Sequence, residues 1–248
     1  MAGVLIVTGG SRGIGAATAK LGAARGYQVA VNYNRNPASA EAVVKEIEQS
    51  GGRAIAVQAD VSREADVVRL FETVDRELGR VSALFNNAGV IHRMKPITDF
   101  AEAELAEMWR VNITSQFLCA REAAKRMSTK LGGEGGAIVN MSSAAARLGG
   151  ANGSLAYAAS KGAIDTFTTG LALELAPQGI RVTGVRPGLI DTTIHNDMGD
   201  PDRLAKLRPT VPLGRTGRVE EVAEAVLWLL SPQASYVTNT IIDIGGGR

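Results

Sequence analysis

Short apolar, β-branched runs alternate along the chain with longer stretches whose apolar positions recur every three to four residues. The runs "VLIVT" (4–8), "QVAVNY" (28–33), "RAIAVQAD" (53–60), "SALFNNAG" (82–89), "AIVNMSS" (137–143), "IRVTGVRPG" (180–188) and "TIIDIGGG" (240–247) predict seven strands. Between them, helices are predicted from Gly13 to Arg25, over 38–50, 64–79 and 101–130, from Tyr157 to Leu175, and over 219–231. In 64–79 the residues Val67, Val68, Phe71 and Val74 fall at helical spacing, and in 219–231 Val222, Val226 and Leu229 share a face. The "PQG" after Leu175 stops that helix. Strands apolar on both faces and joined by helices imply a parallel sheet covered on both sides. Right-handed crossovers then give a doubly wound α/β fold, expected as one domain over 1–248. The stretch 191–217 breaks the alternation and is rich in turn residues, so it is expected to form a substrate flap.

Composition narrows the chemistry. The chain has 248 residues, 45% of them hydrophobic and 21% charged, so it can build an ordinary core. A net charge of +2 without a basic run gives no footprint for nucleic acid. Cys119 is the single cysteine and lies in the apolar "FLCA", so it is expected to be buried. With His92 and His195 as the only histidines, neither a disulfide nor a metal site is expected. The apolar N-terminus reads as a strand rather than a leader, and no stretch approaches the roughly 20 apolar residues of a membrane span. A soluble, cytoplasmic protein is the expectation.

"VTGGSRGIG" joins the first strand to the first helix. There Gly9, Gly13 and Gly15 allow a tight turn, and backbone N–H groups at the helix start can face a pyrophosphate. This is the dinucleotide position of a Rossmann sheet. Sheets that bind NAD usually end the second strand with an acid on the adenosine ribose. Here the corresponding "VNYNRN" has none. Asn34 and Arg35 sit where a 2′-phosphate would lie and Arg12 adds a second guanidinium, which favours NADP(H) over NAD(H).

Tyr157 and Lys161 in "YAASK" stand one helical turn apart, so their side chains share a face. A free phenol, with a pKa near ~10, exchanges protons poorly at neutral pH, and a neighbouring ammonium favours the phenolate. Reduction of a carbonyl needs a hydride on carbon and a proton on oxygen, and this pair could handle the proton.

In order along the chain, "TGGSRGIG", "DV" (60–61), "NNAG" (86–89), Asn112 in "VNITSQF", "SS" (142–143), "YAASK" and "RPGLIDT" (186–192) resemble the short-chain dehydrogenase/reductases. The resemblance spans essentially the whole chain. It implies hydride transfer between a nicotinamide and a ketone or secondary alcohol, with Tyr157 as general acid/base and Lys161 lowering its pKa and holding the nicotinamide ribose. It also implies that Ser143 bonds the substrate carbonyl and that Asn112 holds a water in a proton relay. The glycine loop, with Ser11 and Ile14, would cradle the dinucleotide. Asp60 and Val61 would frame the adenine, and Asn87, Ala88 and Gly89 the adjacent ribose region. Pro187, Gly188, Ile190 and Thr192 would meet the nicotinamide end, the last two its carboxamide. Asn86 and Asn140 are expected to be structural.

Ser143 precedes Tyr157 by 14 positions, one more than is usual in the family, and Ser142 offers an adjacent hydroxyl. The substrate would enter among 91–96, 144–156 and 191–210, where Arg93, Arg147 and His195 are read as loop residues rather than ligands. Three further readings stay open: a glucose-type sugar dehydrogenase, a 3-oxoacyl carrier-protein reductase and a redox sensor without catalysis. Against the second, Leu173 stands where a basic residue would dock an acidic carrier. The family pattern also implies a homotetramer through the helices of 101–130 and 155–177.

Overall fold

The computed structural model describes residues 3–151, 153–192, 198–200 and 202–248. His195 and parts of the expected flap lie outside the described residues.

Seven strands form one sheet: β1 (Val4–Val7), β2 (Gln28–Tyr33), β3 (Arg53–Gln58), β4 (Val81–Asn86), β5 (Gly136–Met141), β6 (Ile180–Pro187) and β7 (Thr240–Ile244). All are parallel, in the order β3-β2-β1-β4-β5-β6-β7. Because alternate strand residues face opposite sides, two separate cores result. Leu5, Val7, Val29, Val31, Phe85 and Val139 pack on one side against α1 (Gly13–Ala24), α2 (Pro37–Gln49) and α9 (Val219–Leu230). On the other side Ile6, Ala30, Leu84 and Ile138 meet α3 (Glu64–Glu77), α5 (Ser115–Met127) and α7 (Leu155–Leu175). Phe71 and Phe85 are fully buried, and truncating either to alanine should cost about 3–5 kcal/mol.

The chain turns from β1 outward to β2 on one side and to β4 on the other, so a crevice opens at the carboxyl ends of these strands. There Thr8 ties β1 to β4: its Oγ1 accepts from the Asn87 and Ala88 N–H groups at 2.8 and 2.9 Å. Those bonds draw the chain out of the ladder, which is why β4 ends at Asn86 and not at Gly89 as its sequence suggests. Asn86 and Asn140 do tie elements together, with Asn86 Nδ2 donating to the Gln116 carbonyl (2.8 Å) and Asn140 Nδ2 to Thr168 Oγ1 (3.0 Å).

The stretch 101–130 also departs from expectation. It is not one helix but α4 (Glu102–Trp109), a π-helical turn over Arg110–Thr114, and then α5. The wider turn carries Asn112, whose side chain captures both backbone groups of Val90: the Val90 N–H donates to Oδ1 (2.8 Å) and Nδ2 donates to the Val90 carbonyl (2.9 Å). Two short helices complete the frame, α6 (Ala145–Leu148) and α8 (Arg203–Leu207).

Candidate active site

A cleft of about 1050 Å³ lies over the carboxyl ends of the central strands. At one end is the glycine turn. Gly9 has φ +61°, and its N–H donates to Asn32 Oδ1 (3.2 Å). Asn32 Nδ2 is held in turn by the Val57 and Ala59 carbonyls at 3.3 and 3.0 Å. A Cβ on Gly15 would sit 2.4 Å from the Gly9 carbonyl oxygen and 2.8 Å from Asn87 Nδ2, so no side chain fits there. Helix α1 starts without a side-chain cap and has no acid in its first turn, which leaves the positive end of its dipole facing the cleft. Arg12 and Arg35 line this end with Asn34, and β2 brings no carboxylate to it.

Asp60, Val61, Ala88, Gly89, Pro187, Gly188, Ile190 and Thr192 line the same cleft, as do Ser11, Gly13, Ile14 and Asn87. Asp60 is not idle, since its carboxylate accepts from the Ser62 N–H (3.1 Å) and lies 3.7 Å from Arg110. A Cβ on Gly188 would strike Gly245 at 2.6 Å, so the backbones of the β6 and β7 ends touch.

At the floor stand Tyr157, Lys161 and Ser143. Helix α7 enters the cleft here and brings Tyr157 and Lys161 to it beside Ser143. The two adjacent serines both line the cleft but differ in their bonds. Ser143 is half-buried and accepts from the Ala145 N–H (3.1 Å), whereas Ser142 is buried and donates to the Lys161 carbonyl (3.1 Å).

Lys161 is 2% exposed, and its Nζ donates to the Met141 carbonyl at 2.8 Å. Burial carries its pKa down to about 8, with Asp165 one turn on pulling the other way. The phenol departs from the expected direction. Burial pushes the Tyr157 pKa above its ordinary 10.0, and the group opposing that rise is Ser143, not the lysine. The reason is spatial: Nζ lies 5.6 Å from the ring centroid and points its bond at the Met141 carbonyl.

Asn112 differs too. It is fully buried behind the cleft wall, and its carboxamide is engaged with Val90 and, at 3.1 Å, Ser160. Its visible work is to fix the loop after β4, not to line the cleft. Cys119 is buried, and burial pushes its thiol far above the reactive range. Among the described residues no cluster of metal-ligating side chains occurs.

Ile91, His92, Met94, Leu148, Ser154 and Met198, from the stretches 91–96, 144–156 and 191–210, also line the cleft. Arg147 turns away to Asp243 (3.2 Å). Sequence reasoning missed Thr8, Asn32, Arg203 and Arg248. For Asn32 a signal was present, an amide inside a β-branched run, which only an internal partner can make tolerable.

The glycine turn and the Tyr157–Lys161 pair line one cleft, and the chain is an oxidoreductase acting on CH–OH and C=O groups. Comparison with known proteins narrows this. The family model described as enoyl-(acyl carrier protein) reductase matches residues 9–248. The chain is 50% identical to the uncharacterized oxidoreductase YgfF of Escherichia coli over 99% of both chains. It is 37% identical to 3beta-hydroxysteroid dehydrogenase 1 of Eggerthella lenta, over 98% of this chain and 92% of that one. To 3-oxoacyl-[acyl-carrier-protein] reductase of Synechocystis the identity is 38%, over 98% and 96%. Among solved structures, a dehydrogenase/reductase from Sinorhizobium meliloti superposes with a TM-score of 0.91 at 36% identity, covering 98% of this chain and 94% of that one. A Serratia marcescens short-chain dehydrogenase/reductase mutant gives 0.90 at 34%, over 98% and 96%. The chain belongs to the short-chain dehydrogenase/reductase family, whose cofactor is a nicotinamide dinucleotide, NAD(P)(H).

Proposed function

We propose that the protein is an NADP(H)-dependent oxidoreductase of ketones and secondary alcohols, with Tyr157 as general acid/base. The observation that carries this reading is the convergence of Ser143, Tyr157 and buried Lys161 in one cleft, whose other end offers Arg12 and Arg35 and no carboxylate on β2. The residues present fit a dinucleotide: Gly15 admits no Cβ, and the uncapped start of α1 suits a pyrophosphate. Ser11, Gly13 and Ile14 would hold the pyrophosphate, Asn34 with the two arginines the 2′-phosphate, Asp60 and Val61 the adenine, and Ile190 and Thr192 the carboxamide. Bound in this way, the nicotinamide supplies or accepts the hydride.

The chain's own part is the proton. Ser143 can donate to the substrate oxygen and hold it beside the phenol. Because burial raises the phenol's pKa, Tyr157 stands protonated at neutral pH, the state needed to donate during reduction. Oxidation requires the phenolate, so it should quicken as pH rises while reduction slows. Lys161 would hold the ribose, and its ammonium steadies negative charge on Tyr157 whenever the phenolate forms.

Two relatives carry names of this chemistry, the 3beta-hydroxysteroid dehydrogenase and the 3-oxoacyl carrier-protein reductase. Docking of an acidic carrier finds no cation at Leu173, a leucine 63% exposed. Assembly as a homotetramer through α5 and α7 is supported by Phe117, exposed and stacked on Phe167 with ring centroids 3.8 Å apart, and by exposed Leu173. A cytoplasmic setting agrees with the single buried thiol; among the described residues no helix is long and apolar enough to cross a membrane.

Titration with NADPH and with NADH, followed by nicotinamide fluorescence, tests the cofactor assignment. Binding of NADPH at least tenfold tighter, about 1.4 kcal/mol, is expected, and equal affinities would overturn it.

A further inference from the structure

The substrate end of the cleft holds two guanidiniums that the chemistry above leaves unused. Arg203, which opens α8, and Arg248 both line it, alongside Met94 and Met198. Arg203 is partly buried, and its Nε is sealed from solvent without a hydrogen-bond partner. Its Nη1 rests on Met94 Sδ at 3.2 Å, a weak acceptor for a full charge. Burial, and next the charge of Arg248, hold its pKa below the ordinary range, while Asp200 opposes them.

Other arginines in the molecule are treated differently. Arg181, also substantially buried, is met by the carbonyls of Leu229 (2.7 Å), Ser231 (3.1 Å) and Val237 (3.2 Å). Arg186 lies 2.8 Å from Asp165. Two acids of the described residues have their own partners, Asp200 with Lys206 at 2.8 Å and Asp243 with Arg147 at 3.2 Å. Among the described residues, neither Arg203 nor Arg248 takes part in an ion pair. A half-desolvated guanidinium with a buried, unpartnered Nε, in a cleft that a second arginine also lines, is costly unless an anion completes the site.

We propose that Arg203 and Arg248 form a clamp for an oxyanion on the substrate, so that the natural substrate is a ketone or secondary alcohol carrying a carboxylate or phosphate. This deepens the hydride-transfer reading above and rests on it. Planar guanidinium forks match such oxygens in pairs. The clamp belongs with the entry loops rather than the nucleotide end, since Arg203 contacts Met94 and the Met94 N–H donates to the Met198 carbonyl (3.2 Å). An anion held there would leave the carbonyl free to reach Ser143 and Tyr157 on the floor of the same cleft.

The test compares 3-oxobutanoate with its methyl ester, and dihydroxyacetone phosphate with dihydroxyacetone, using NADPH and wild-type, Arg203→Gln and Arg248→Gln proteins. Expected is a tenfold or larger preference in kcat/KM for one charged partner over its neutral twin, expressed mainly in KM. The preferred pair tells carboxylate from phosphate. In each variant the preference should shrink to about threefold or less, with neutral-substrate turnover and NADPH affinity unchanged. A variant that does not fold would be recognised by its far-ultraviolet circular dichroism and replaced by Arg203→Lys, which keeps the charge and should keep the preference. Neutral substrates turned over as well as charged ones by the wild type would overturn the clamp and leave the hydride reading standing. So would a tenfold loss of NADPH affinity in folded Arg203→Gln, which would move that arginine to the cofactor. Failure of all four probes would overturn the hydride reading and the clamp with it.

Discussion

Replacing Lys161 by methionine keeps an unbranched side chain one atom shorter and removes its charge, and the structure sets how stability should respond. Lys161 is 2% exposed, and its pKa falls from 10.5 to about 8, chiefly through burial. At 1.36 kcal/mol per pH unit, that drop corresponds to about 3 kcal/mol of strain from housing the ammonium. The folded pKa is the lower one, so between about pH 8 and 10.5 the unfolded chain holds a proton that the native protein has released. Native stability from this group therefore rises with pH across that window, and the full penalty applies below it. Lys161→Met abolishes the penalty and removes one of two donors to the Met141 carbonyl, which keeps Gln116 Nε2 at 3.2 Å, a cost of about 0.5–1.5 kcal/mol that varies little with pH. The variant should thus be about 2–3 kcal/mol more stable than wild type at pH 7. At pH 10.5 that advantage should be gone, leaving it less stable by up to about 1 kcal/mol. Urea denaturation of the ligand-free proteins by circular dichroism, at fixed concentration and several pH values, gives the difference directly. A difference that stays flat within about 1 kcal/mol from pH 7 to 10.5 would refute the reasoning, because the lysine would then be hydrated in the native state.

The two serines should separate cleanly. Ser143→Ala is expected to cut kcat/KM about 100-fold with little change in melting temperature, whereas Ser142→Ala, which removes the extra bond to the mid-helix Lys161 carbonyl, should cost about 0.5–1.5 kcal/mol of stability with a smaller effect on turnover. Gly15→Ala drives a methyl to 2.4 Å from the Gly9 carbonyl and should weaken NADPH binding at least tenfold by fluorescence titration; unaltered affinity would remove the glycine turn from the nucleotide site. Steady-state pH profiles should show reduction slowing and alcohol oxidation quickening as pH rises toward the phenol's pKa; parallel profiles would contradict a proton carried by Tyr157.

Much of the fold and part of the site could be read from the chain. Seven β-branched runs are enough to give the sheet, because a strand buried on both faces leaves a continuous apolar signature. The glycine turn was legible because Gly15 stands where any Cβ collides with backbone. The pairing of Tyr157 with Lys161 was legible because one helical turn forces two side chains onto a face. What escaped depends on long-range bonds. The π turn at Arg110–Thr114 exists because Asn112 reaches back to Val90, 22 residues away, and local periodicity carries no trace of that. The difference between Ser142 and Ser143 turns on Lys161, and the charge balance at Arg203 on Arg248, each pair brought together only by the folded chain. The phenol's raised pKa follows from dryness, which spacing cannot report, and spacing alone suggested the opposite direction.

The most direct test of the central claim is turnover by Tyr157→Phe. The phenyl ring fills the same space but has no proton to give. With a ketone that the wild type reduces using NADPH, kcat should fall by about 100-fold or more, while the NADPH dissociation constant stays within about twofold. Turnover at the wild-type rate, with cofactor bound equally well, would show that the proton travels by another route and that Tyr157 is only part of the wall.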